Sequence, residues 1–294
     1  MESGVSVATE EFDIQVPSGR IHAKRYGERG GHLVLALPGL SVSHVGFDYI
    51  CERVVGPGRE VVAVDLRGRG QSDATGPGSY GWVSHAKDAF AIADALGAER
   101  FTILGQSMGG SVAMTAASMD ASRIAGIVLI DICGVTDDGA LQLILAGVAR
   151  LGTVYPSVEM YLETVRNLGT VTPWSDYWER FFRSELVPVE GGVAARSNRD
   201  AVLQDYCFGT GAMTMGDDSG IYGLWKHLTM PVLLLYGTVE LMTGFGRIVT
   251  DRDRKRFPRE VPTARVVDVE ANHYGINTHP DSAAAIREFL TSGV

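Results

Sequence analysis

Phe101-Thr102-Ile103-Leu104-Gly105-Gln106-Ser107-Met108-Gly109, followed by Gly110-Ser111-Val112-Ala113-Met114-Thr115-Ala116-Ala117, is the stretch that decides how this chain folds. Its first four residues have strand character, and its last seven are the small residues of a closely packed helix. Between them stands G-x-S-x-G, the pattern of a strand-to-helix turn that lifts a serine hydroxyl above a sheet. Such a turn leaves no room for side chains at its flanks, so glycine stands two residues to either side of Ser107. The pattern alone is weak: with 36 glycines and 19 serines in 294 residues, about 0.3 chance matches are expected. The strand before it and the helix after it carry the claim.

Outward from this turn, apolar runs of strand length recur at residues 32–37, 60–65, 126–131, 231–237 and 264–269. Helix patterns fall at 47–55, 82–96, 107–119 and 281–290, the last with Pro280-Asp281-Ser282 as its start signal. Continuous apolar strands separated by helices predict a mostly parallel sheet covered on both faces. Upstream, residues 11–16 and 21–26 alternate around Pro17-Ser18-Gly19 and predict an antiparallel hairpin. The strand rhythm stops between residues 132 and 228. That stretch reads as a helical, aromatic insertion, with Tyr155, Tyr161, Trp174, Tyr177, Trp178, Phe181, Phe182 and Tyr206, and with loops at Gly191-Gly192 and 209–216. The expected division is therefore a core of residues 1–131 and 229–294 and a cap of residues 132–228.

Composition narrows the function classes. Hydrophobic residues make up 45% and charged residues 21%, enough to bury a large core and too apolar for disorder. The net charge of −9, with acids interleaved in the basic run Asp251-Arg252-Asp253-Arg254-Lys255-Arg256, argues against nucleic acid as a partner. Cys51, Cys133 and Cys207 form no C-x-x-C and no metal-ligand spacing, so neither a disulfide framework nor a metal site is expected. No G-x-x-x-x-G-K phosphate loop is present, so no cofactor is expected. The first residues, Met1-Glu2-Ser3-Gly4-Val5-Ser6, lack the basic and apolar regions of a signal peptide, and no apolar run approaches the ~20 residues that span a bilayer. A cytoplasmic protein with no membrane partner is expected, its surface compatible with a homo-oligomer.

With these pieces in order, the chain resembles the α/β-hydrolase family over nearly its whole length. The resemblance rests on the hairpin, Leu35-Ala36-Leu37-Pro38-Gly39-Leu40, the turn Asp65-Leu66-Arg67-Gly68-Arg69-Gly70-Gln71-Ser72, the Ser107 elbow, the insertion, Leu235-Tyr236-Gly237-Thr238-Val239-Glu240, and Asn272-His273. It implies Ser107 as nucleophile and His273, in the loop after the final strand, as its base. The rival His279 precedes Pro280 at a helix start and is expected to be structural there, as are His22, His32, His44, His85 and His227 at the surface or core edge. Two carboxylates compete to orient the imidazole. Glu240 occupies the family's usual place after the Pro231–Gly237 strand and is expected to take the role; Asp131, at the end of the 126–131 strand, occupies a place that some members use.

The resemblance also implies an oxyanion hole made by the backbone N–H groups of Leu40 and Met108, which depend on no particular side chain. Where the family usually has His-Gly before that first donor, this chain has Pro38-Gly39. Asp65 and Arg67 are expected to brace the turn that contains them. The implied activity is cofactor-independent hydrolysis of a small, apolar acyl compound, an ester or lactone, beneath a cap whose loops gate access. A serine at 107 argues against relatives with a carboxylate nucleophile. The same fold also hosts carbon–carbon bond hydrolases, lyases, acyltransferases and non-catalytic binding proteins, and these readings stay open.

Overall fold

The computed structural model describes residues 7–214 and 220–292. The chain starts with the hairpin β1 (Thr9–Val16) and β2 (Gly19–Tyr26), then alternates through β3 (His32–Leu37), α1 (Asp48–Val54), β4 (Arg59–Val64), α2 (Trp82–Ala95), β5 (Phe101–Gln106), α3 (Met108–Asp120) and β6 (Ile124–Ile130). The insertion follows as α4 (Asp138–Val148), α5 (Val158–Asn167), α6 (Asp176–Ser184), β7 (Leu186–Val189), β8 (Gly192–Ala195) and α7 (Arg199–Thr214). A short 3₁₀ segment, Ile221–His227, leads back to β9 (Val232–Gly237), α8 (Asp251–Glu260), β10 (Ala264–Val269) and α9 (Pro280–Thr291). Eight strands form one sheet in the order β1-β2-β4-β3-β5-β6-β9-β10, antiparallel from β1 to β4 and parallel from there on.

Every residue of β5 and β6 is buried, because both faces of the sheet are covered, and this is why these strands read as unbroken apolar runs. Alternate side chains serve different cores. Ile127 and Leu129 join the cluster under α2 and α3, while Val128 and Ile130 join the cluster under α1 and α9. Helix α1 follows β3 onto one face and α3 follows β5 onto the other. The loops leaving these adjacent strands therefore diverge, and the crevice between them is where open α/β sheets place their ligands.

The insertion has an aromatic core of its own. Tyr161, Trp178, Phe181 and Phe182 are buried there, and Trp174 stacks on Phe182 with ring centroids 5.7 Å apart. Tyr206 lies outside that cluster and donates to Leu141 O. The insertion is not wholly helical. β7 and β8 pair as a hairpin across Gly191 and Gly192, both at positive φ, and a Cβ on Gly192 would stand 2.0 Å from Tyr155 O. Ile221, Tyr222 and Trp225 pack in the core beneath the sheet, not with the aromatic cluster. Helix α8 had no signal in the apolar pattern, since one buried apolar side chain, Phe257, anchors an otherwise polar helix. Its start is capped by Thr250, whose hydroxyl accepts from Asp253 N at 3.1 Å.

Candidate active site

Ser107 sits between β5 and α3 with φ 52° and ψ −121°, a conformation that costs a non-glycine residue strain. The packing around it makes the conformation obligatory. A Cβ on Gly105 would lie 2.5 Å from Gly109 O, and one on Gly109 would lie 1.9 Å from Leu37 O. The third glycine, Gly110, lies under Ile132, whose Cγ2 a Cβ would meet at 2.3 Å. Ser107 N donates to Ile130 O at 3.0 Å, fastening the turn to the neighbouring strand. The serine remains partly accessible to solvent.

His273, in the loop after β10, reaches back over the sheet to this turn. Its Nδ1 lies 2.9 Å from Asp131 Oδ2, and its Nε2 accepts from Gln106 Nε2 at 3.2 Å. A carboxylate only accepts, so the imidazole donates from Nδ1, and its Nε2 lone pair, on the side of the Gln106-Ser107 turn, is engaged by the Gln106 amide and not by the Ser107 hydroxyl. Its loop is fastened by Asn272, whose Nδ2 donates to Thr170 O of the insertion at 2.9 Å and to Leu241 O at 3.3 Å. Asn277 Nδ2 donates to His273 O at 3.3 Å.

The carboxylate facing His273 is thus Asp131, and the expectation of Glu240 is corrected. Glu240 turns away and uses Oε2 to accept from Gly244 N at 2.7 Å, within its own loop. The physical reason lies in what holds each carboxylate: Gly237 N fixes one oxygen of Asp131 and leaves the other toward His273, whereas Gly244 N holds Glu240 within its own loop three residues beyond the end of β9. Asp131 is held at φ 51°, and its Oδ1 accepts from Gly237 N at 3.0 Å. Gly237 permits that approach, since a Cβ there would lie 3.3 Å from Oδ1 and 2.9 Å from Ala271 O.

The loop after β3 passes beside the nucleophile: a Cβ on Gly39 would be 2.3 Å from Gln106 Oε1 and 3.4 Å from Ser107 Cβ. Gly39 O accepts from Val42 N at 3.3 Å. In a trans peptide the C=O and N–H point oppositely, so Leu40 N–H projects away from that turn. Neither Leu40 N nor Met108 N is engaged by another backbone group among the described residues. Met108 N also stands at the positive end of the α3 dipole.

Asp65 and Arg67 brace their turn. Asp65 accepts from His44 N, His44 Nδ1 and Gln71 N, and Arg67 makes a bidentate pair with Asp88 at 2.6 Å. His279 caps α9, its Nδ1 accepting from Asp281 N at 3.2 Å. Three participants were not singled out from the sequence: Gln106, Asn272 and Arg69. Gln106 and Asn272 are immediate neighbours of Ser107 and His273, a proximity the sequence does show. Arg69, whose Nε donates to Leu40 O at 2.9 Å, gave no signal apart from its place in the 65–72 turn.

The eight-stranded sheet, the elbow and the imidazole–carboxylate pair together define an α/β-hydrolase architecture. The chain belongs to that family, whose model, described as "alpha/beta hydrolase fold", matches residues 32–280. Among its relatives, the N-formylmaleamate deformylase of Pseudomonas putida is 35% identical over 38% of this chain and 41% of its own length, so the chain matches about two fifths of that protein. An uncharacterised Mycobacterium tuberculosis protein is 33% identical over 79% of this chain and 73% of its own. The crystal structure of an E-2-(acetamidomethylene)succinate hydrolase superposes with a TM-score of 0.81 at 21% identity, covering 97% of this chain and all of that one, a likeness of fold. No helix among the described residues is long and apolar enough to cross a membrane.

Proposed function

We propose that this chain is a cofactor-independent serine hydrolase cleaving a small acyl compound beneath the inserted segment as lid. The observation that carries the reading is the line from Asp131 through His273 to the strained Ser107 turn. Ser107 Oγ attacks the substrate carbonyl while His273 Nε2 takes its proton, and Asp131 steadies the resulting imidazolium. Leu40 N and Met108 N receive the negative charge that develops on the carbonyl oxygen. Collapse of the tetrahedral intermediate expels the leaving group, protonated by His273. Water, deprotonated in turn by His273, then releases the acid from the acyl-enzyme and restores the serine.

An ester or lactone suits this machinery, and so does an amide-like acyl bond. The relatives named for a deformylase and for an acetamidomethylene hydrolase support including the last. A fluorophosphonate probe tests the reading without knowledge of the substrate. Covalent labelling confined to Ser107, and absent from Ser107→Ala, is expected. A folded protein that stays unlabelled would instead be a binding protein that keeps the arrangement without using it. A panel of short and long acyl esters, lactones and amides then assigns the bond cleaved.

A further inference from the structure

The loop carrying Leu40 is gripped by two buried guanidinium groups, and each is neutralised by a carboxylate of the insertion. Arg69, fully buried, donates from Nε to Leu40 O at 2.9 Å and from Nη1 to Arg67 O at 3.0 Å, while its Nη2 pairs with Asp205 Oδ2 of α7 at 2.7 Å. Asp205 is shared: His85 Nε2 stands 2.8 Å from Oδ2, and Gly81 N donates to Oδ1 at 2.6 Å. One residue further along the loop, Arg150 of the insertion brings Nη1 and Nη2 within 3.5 Å of Ser41 Oγ and Ser41 O. Arg150 in turn pairs with Glu185 at 3.0 Å and donates to Tyr161 OH, which itself donates to Glu185.

Burying charge is costly, and apolar residues of similar volume often serve stability equally well. Two such pairs converging on consecutive residues of one loop therefore call for a reason in what that loop does. The carbonyls of Leu40 and Ser41 belong to the peptide planes immediately after the one that bears Leu40 N–H. Gly39 O, in the same plane as Leu40 N–H, is held by Val42 N, and together these contacts restrain the direction of that N–H.

We infer that Arg69, seated by Asp205, is a positioning residue for the Leu40 oxyanion donor, so that docking of the inserted segment and assembly of the oxyanion hole are one event. The inference rests on the serine-hydrolase reading and adds to it a dependence of the hole on the insertion. Arg150 and Glu185 act on the same loop from the neighbouring residue.

The test measures labelling of Ser107 by a fluorophosphonate, whose phosphoryl oxygen needs the same donors, and separates the maximal labelling rate, kinact, from the half-saturating concentration, KI. Arg69→Lys keeps a cation opposite Asp205 but loses the fork that reaches Leu40 O. It should lower kinact roughly 10- to 100-fold, the scale of a weakened oxyanion donor, with KI within threefold. Asp205→Asn keeps the volume and one accepting oxygen and should lower kinact in the same sense. It also serves where Arg69→Lys fails to fold. Folded variants of either kind that melt lower yet label at the wild-type kinact would reduce the network to a structural role and overturn the inference. Wild-type protein that does not label at Ser107 would overturn the hydrolase reading itself and the inference with it, a different result from unaffected variants.

Discussion

Asp131 accepts from His273 with one oxygen while Gly237 N holds the other; the imidazole is thereby left with one tautomer and one orientation. Replacing it by asparagine keeps the shape and permits the wrong tautomer, a change that costs about 10⁴ in rate in a serine triad. Asp131→Asn should therefore lose several decades of activity against 4-nitrophenyl acetate, whereas Glu240→Gln, whose carboxylate serves Gly244, should stay within a few-fold of wild type. The reverse order, in variants of matched melting temperature, would return the orienting role to Glu240. Ser107→Ala should lose on the order of 10⁶ in turnover while remaining folded. Near-normal turnover in that variant would exclude the acyl-enzyme route.

At the scale of the element, the turn from β5 into α3 works because three backbones meet with no Cβ between them. Gly109→Ala would push a methyl group to 1.9 Å from Leu37 O, and neither partner is a flexible side-chain end. Displacing the end of β3 should cost about 1–3 kcal/mol in urea unfolding, and it should slow Ser107 labelling, because the same displacement moves the Leu40 loop. Gly147 in α4 is the contrast, with open space where its Cβ would go and no positive φ. Gly147→Ala should raise stability by about 0.4–1 kcal/mol through the unfolded chain and leave labelling unchanged. Equal effects from both substitutions would contradict the account of the elbow as a steric device.

For the molecule as a whole, the join between insertion and core carries buried charge, and this makes stability depend on pH. Burial alone would raise the Asp205 carboxyl, but the hydrogen bond and charge of His85 and the charge of Arg69 outweigh it and hold the group below its usual value of 3.8. A carboxylate depressed in the folded state contributes stability that is present above the unfolded value and is lost as pH falls through the folded one. Wild type should thus exceed Asp205→Asn in stability by about 3–5 kcal/mol near neutrality, the cost of breaking a buried pair, and the gap should narrow as pH falls below about 4. Urea unfolding across pH 2 to 7 measures it, and a gap independent of pH would remove Asp205 from the acid response.

Local pattern alone determined much of this protein. The elbow turn, the run of buried parallel strands, the hairpin before them and the aromatic core of the insertion were legible because each depends on neighbours in sequence: a glycine that a tight turn requires, or an apolar run that two covered faces require; His273 was singled out only through the family resemblance. The acid was not legible, since Asp131 and Glu240 follow the ends of neighbouring strands, and only the hold of Gly237 N on one and of Gly244 N on the other decides which of them faces His273. Nor were Arg69 and Arg150, whose buried carboxylate partners, Asp205 and Glu185, stand far along the chain from them. Helix α8 escaped for the complementary reason, its fold resting on one buried apolar side chain, Phe257, one buried carboxylate, Asp253, and a cap, where apolar periodicity had nothing to report. Tertiary structure decided these cases because charge pairing and strand adjacency join residues dozens of positions apart, and a hydrophobic pattern carries no record of which distant partner will neutralise a charge.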